Sequence, residues 1–115
     1  DGISECETIA CEFKCPGRSV HIATLIANEI PLSNIHQCVH YFTVNPKLEK
    51  LYFGSFRPEC KYRLFHNILT LDSNVNLGTK AKPVIKTVSE WSKIARANAM
   101  IIEGQIVSNM TKLSA

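Results

Sequence analysis

The chain has 115 residues, 45% of them apolar and 20% charged, which fits a single domain over residues 1–115 and excludes a disordered chain. Thirteen basic and ten acidic residues leave a formal charge of +3, too little to argue for nucleic-acid binding by itself. No stretch approaches the roughly 20 apolar residues of a membrane helix, so no membrane partner is expected.

The chain opens at Asp1, with no basic start followed by an apolar run, and reads as a mature, processed product. Residues 1 to 18 read as irregular and tethered by cysteines. The stretch "CETIACEFKC" places three of the five cysteines within ten positions. Such density is unusual in a reducing compartment and ordinary in a small secreted protein. Disulfides drawn from Cys6, Cys11, Cys15, Cys38 and Cys60 are therefore expected, with one cysteine left over and the pairing open. A bridge from Cys15 to Cys60 would close a long loop and contribute roughly 3–4 kcal/mol.

Pro16-Gly17 marks a turn, and Ser19 reads as the N-cap of a helix that runs to about Ile30 and stops at Pro31. Val20, Ile22, Ala23, Leu25, Ile26, Ala27 and Ile30 give it a broad apolar face. Strands are expected over 35–45, 50–56 and 60–71, separated by Asn45-Pro46 and Arg57-Pro58. Along the last of these, Tyr62, Leu64, His66 and Ile68 share one face, and Arg63, Phe65, Asn67 and Leu69 the other. "DSNVNLGTK" (72–80) reads as a loop. Thr87 and Glu90 form a capping box, followed at helical spacing by Val88, Trp91, Ile94, Ala95, Asn98 and Ile101. Trp91 is expected in the core, Gly104 at the helix end, and residues 105–111 as a last strand or a frayed end. The predicted class is α+β: an N-terminal helix packed on an antiparallel sheet, with an additional C-terminal helix.

Catalytic chemistry has candidates but no signature. His36 or His40 with Glu59 and Arg63 would supply the base, acid and cation that phosphodiester hydrolysis needs. The preferred alternative makes these histidines, and His66, partly buried sheet residues and the charges a solvated rim. Cys38 lies between His36 and His40, and a buried or bridged sulfur is preferred there over a nucleophile. On a strand, His36 and His40 would stand about 13 Å apart, too far to share an ion, so no metal or cofactor is expected. A zinc-dependent binding module is the second alternative to an interaction protein, after the hydrolase. Asn109-Met110-Thr111 is a glycosylation sequon, usable only in a secreted eukaryotic protein. Trp91, Met100, Ile101 and Ile102 exceed a narrow core stripe, and the excess would form a partner patch.

Phe13-Lys14-Cys15, an aromatic-x-Cys element ahead of an amphipathic helix, resembles the secreted effector candidates of cereal powdery mildews and other haustorial fungi. Many of those resemble the guanyl-specific fungal ribonucleases in fold. Arg63-Leu64-Phe65-His66-Asn67 is similar to the ribonuclease strand that carries an arginine facing the scissile phosphate, with Arg63 as its counterpart. The segment from Pro83 onward has no place in that compact fold, and no histidine and glutamate can be matched to the catalytic pair. The resemblance implies a ribonuclease-like virulence effector without enzymatic activity. It would be secreted, with action inside host cells as an option, and would engage a host protein target, an immune receptor or RNA. Arg63, His66 and Trp91 are the candidate binding residues.

Overall fold

Between Ile35 and Phe42 the apolar residues recur at three- and four-residue steps. That period, rather than the β-branched and aromatic character of the stretch, decides its structure: Leu32–Val44 is a helix that buries Ile35, Cys38, Val39 and Phe42. The strand expected over 35–45 is thereby corrected. Pro31 sits at the N-cap of this helix instead of merely stopping the one before, and Asn45-Pro46 ends it.

The computed structural model describes residues 2–114. In chain order the elements are β1 (Gly2–Ile3), β2 (Ile9–Lys14), α1 (Arg18–Ala27), α2 (Leu32–Val44), β3 (Lys50–Phe56), β4 (Leu64–Thr70), β5 (Asn74–Asn76), β6 (Ile85–Thr87) and α3 (Val88–Ser114). The class is α+β. The N-terminal segment, expected to be irregular, supplies two strands, and the loop expected over 72–80 contains β5, which pairs with β6.

The main sheet has the order β1-β2-β3-β4. β1 and β4 pair antiparallel to their neighbours, but β2 and β3 run parallel, so the sheet is mixed rather than antiparallel. Parallel neighbours need a crossover, and α1 and α2 provide it. One face of the sheet is buried: Ala10 and Glu12 of β2, Leu51, Phe53 and Ser55 of β3, and Phe65 and Leu69 of β4. Phe42, Val39 and Cys38 of α2 join them in the core, together with Leu48, Val75 and Val88.

α1 turns its polar side inward. It buries His21 and Thr24; of the apolar face expected, Leu25 packs against the core, but Val20, Ile22 and Ile26 are exposed. Gly17, not Ser19, occupies the N-cap and makes no side-chain bond there. Asn28 closes the helix at φ 55°, its N–H donating to the Thr24 carbonyl at 2.9 Å.

The capping box forms as expected. The Glu90 N–H donates to Thr87 Oγ1 at 3.2 Å, and Thr87 donates in return to the Glu90 carboxylate. α3 does not end at Gly104 but continues through Ser114. Its first turns pack on α2, where Arg96 donates to the Phe42 and Thr43 carbonyls at 2.6 and 2.9 Å and so satisfies two C-terminal acceptors of that helix. Every residue from Ala97 to Leu113 is exposed.

Trp91 is half-buried against the core. Its indole N–H donates to the Val75 carbonyl at 2.9 Å, and Lys86 Nζ lies 5.7 Å from the ring centroid. Trp91→Ala is expected to cost about 2–4 kcal/mol and to lower Tm by on the order of 10 °C. Thermal unfolding followed by circular dichroism checks this, and a shift of only a degree or two would show the indole to be a surface group.

Candidate functional site

Glu12 and His21 are among five buried polar residues, the others being Thr24, Ser55 and Ser92, and neither is marked out by its sequence context. Glu12, only 2% exposed, sits on the inner face of β2, in line with Ala10. Its carboxylate accepts hydrogen bonds from Tyr41 and Gln37 of α2 and pairs with Lys14 Nζ at 2.8 Å. Burial alone would raise its pKa. The Lys14 and Tyr41 hydrogen bonds override that and hold it at about 2. The same contacts act on the neighbours. Burial and the Glu12 charge push the Cys38 thiol up to about 12, and the hydrogen bond to Glu12 pushes the Tyr41 phenol up to about 12. Cys38 is thus a protonated core thiol, unsuited to nucleophilic attack.

His21 is wholly buried and ties α1 to the sheet. Nε2 lies 2.8 Å from the Tyr62 carbonyl and Nδ1 lies 2.8 Å from Ser55 Oγ on β3. A carbonyl only accepts, so Nε2 carries the proton; in the neutral ring Nδ1 then accepts from the serine hydroxyl. The pair has the connectivity of a base and its nucleophile, but Ser55 is only 2% exposed and no substrate atom can reach it. It is a structural clamp.

The sequence candidates are dispersed. His36 and His40 are exposed on α2 and line the groove it makes with α3, beside Trp91, Ile94 and Asn98; neither Glu59 nor Arg63 belongs to its walls. Glu59 is exposed in the turn after β3, ion-paired with Arg57. Arg63 is exposed just before β4, its carbonyl accepting the Arg57 N–H at 2.9 Å. Cys38 does not share a face with the flanking histidines: on a helix, two residues apart point to nearly opposite sides. Cys60 is also buried, Cys11 is half-buried, and Cys6 and Cys15 are exposed.

What the fold does assemble is an open sheet face. With both crossover helices on one side, the opposite side presents Ile9 and Phe13 of β2, Tyr52 and Phe56 of β3, and Leu64 and Ile68 of β4, all exposed. Lys50 and His66 share that side, and β2, β3 and β4 place no Asp or Glu there. Phe13, the aromatic of the aromatic-x-Cys element, lies across Gly54: a Cβ at Gly54 would meet the ring at 2.4 Å, so only glycine admits it. His66 stands opposite Gly54 on the other neighbouring strand. The alternation noted for Leu64, His66 and Ile68 pointed to this face, while the parts from β2 and β3 were missed.

The groove between α2 and α3 encloses about 280 Å3, and an open depression beside Ile9 and Tyr52 about 310 Å3. A cleft of about 190 Å3, with Glu29, Asn67 and Lys80 in its walls, falls below the roughly 300–1,000 Å3 of typical ligand pockets. Among the described residues no helix is long and apolar enough to cross a membrane. No protein-family model matches the chain, and no curated protein or solved structure is found similar to it.

Proposed function

We propose that the chain is a non-catalytic, secreted interaction protein of the effector type, and that it engages a host protein through the open face of its sheet. One observation carries this: six large apolar side chains on three neighbouring strands are exposed on a face without a carboxylate from those strands. A contiguous patch of this kind, with aromatic rings at its centre, is what protein partners bury. The ribonuclease-like frame belongs to the same proposal. It draws support from the helix that follows the aromatic-x-Cys element and from Arg63 leading into a strand that contains Asn67. Secretion and a disulfide clip at the N-terminus also belong to it, on the density of cysteines.

RNA is the second reading. Phe13 and Tyr52 on adjacent strands could stack bases, with Lys50 and His66 beside them. Few cations share the face, however, and this favours protein.

The test compares wild type with Tyr52→Ala and Ile68→Glu, both surface changes, in cross-linked capture from cereal leaf extract. A defined set of proteins should be retained by wild type, and its recovery should fall about tenfold or more with either variant. Unchanged capture by both variants would remove the face from the proposal. Binding of a labelled single-stranded RNA that is salt-sensitive and abolished by Tyr52→Ala would assign the face to RNA instead.

A further inference from the structure

The side of the molecule away from the open sheet face carries a second arrangement. His36 and His40 are one turn apart on α2, both exposed and both in the wall of the same groove. On a helix, residues four apart are separated by about 6 Å along the axis and project to the same side, within reach of a single ion. A strand would hold the two imidazoles too far apart to share an ion, and the helix brings them together. Two histidines at this spacing on one helical face supply two of the ligands in helical zinc sites.

We propose that His36 and His40 form a two-histidine chelate for a first-row divalent ion of the imidazole-preferring group, Zn2+, Ni2+ or Cu2+. Imidazole nitrogen is a borderline donor that these ions take in preference to Mg2+ or Ca2+. Among the described residues no third His, Cys, Asp or Glu stands with the pair. The site is therefore open: the remaining positions go to water, and the ion exchanges instead of being locked into the fold. Trp91, Ile94 and Asn98 of α3 form the facing wall. The ion is thus seated between two helices whose packing already holds the histidine-bearing turn in place, so little ordering entropy opposes binding.

The chain contains a single tryptophan, and it lines this groove, which gives the site its own reporter. Ni2+ is open-shell and quenches a neighbouring indole, so titrating purified wild-type protein with Ni2+ should give saturable quenching of Trp91 emission, reversed by EDTA. His36→Ala and His40→Ala should each raise the midpoint about tenfold or more, since losing even an outer-shell partner of a metal ligand costs roughly 10- to 100-fold. Mg2+ should not quench. Cys6→Ser and Cys15→Ser are the controls for the two exposed cysteines and should leave the midpoint unchanged. Absence of saturable quenching, or quenching that survives both histidine substitutions, would overturn the assignment. Retained circular dichroism spectra show that the variants fold, which is expected because both side chains are on the surface.

Discussion

Replacing His21 by alanine is expected to lower the free energy of unfolding by about 3–5 kcal/mol, a large part of the roughly 5–15 kcal/mol that holds a domain of this size together. Two losses combine. A wholly buried ring leaves a cavity, and the Tyr62 carbonyl and the Ser55 hydroxyl both lose their partner. His21→Phe separates the two, because it refills most of the volume and restores neither bond; it should recover part of the loss and no more. Ser55→Ala removes one donor and should cost about 1 kcal/mol. Urea unfolding of the three single variants and of the His21→Ala/Ser55→Ala double variant gives the coupling energy directly. Additive effects would mean that the clamp is a packing contact and the hydrogen bond incidental.

The second large effect is the dependence of stability on pH. The Glu12 carboxyl is held at about 2 in the folded protein, against an ordinary value of 4.5. Between those two values the unfolded chain binds more protons than the folded one, so lowering the pH favours unfolding. The stabilisation from the Glu12 contacts is complete above about pH 4.5 and disappears as the pH falls toward about 2, a loss of about 2–3 kcal/mol. The alkaline side has the opposite sign. Cys38 and Tyr41 have raised folded values of about 12, against 9.0 and 10.0, so their contribution is complete below about pH 9 and is lost as the pH rises toward about 12. Urea midpoints between pH 2 and pH 11 should describe a plateau with two falling limbs. Glu12→Gln keeps the shape of the side chain and removes its charge, so its acid limb should be much flatter than that of the wild type. An equally steep acid limb in Glu12→Gln would place the acid sensitivity elsewhere.

How much of this was legible in the sequence depends on which signal each segment carries. The capping box and the start of α3 could be read because Thr87 and Glu90 act locally. β3 and most of β4 could be read because turn residues bound them on either side. α2 was misread because β propensity was weighed above period. The recurrence of Ile35, Cys38, Val39 and Phe42 was present all along, and propensity yields to burial when an apolar stripe has a core to face. The parallel β2–β3 pairing could not be read from either strand, since it depends on how α1 and α2 carry the chain across. β2 is masked in the sequence by its cysteines, whose spacing suits bridges as well as it suits the alternation of Ala10 and Glu12 with their neighbours.

The open sheet face was legible only in the piece that β4 contributes. Its remainder requires the register that brings Phe13, Gly54 and His66 into one row. His21 and Glu12 are the deeper lesson. A polar residue in the core is recognised by its partners, and those partners, Ser55 and Tyr62 for one and Tyr41 and Gln37 for the other, are distant in sequence. Most of the expected apolar face of α1 is turned outward for the same reason, Leu25 alone packing on the core from within the helix. Two hydrogen bonds decide which side of that helix faces inward, and they outweigh the hydropathy of Val20, Ile22 and Ile26.

The outer half of α3 fixes the outline of the molecule. A compact chain of this length would have a radius of gyration of about 13 Å. The observed value is 17.4 Å, with extents of 64 × 40 × 27 Å, because a rod of helix beyond Ala97 stands clear of the body. In solution such a shape tumbles anisotropically: rotation about the long axis is fast, and end-over-end rotation is slow. Amide vectors along a helix lie nearly parallel to its axis, so those of α3 report the slow mode, while those of the sheet sample both. The protein should therefore sediment more slowly, and tumble more slowly end over end, than a compact particle of its mass, although the residues responsible contribute nothing to its core.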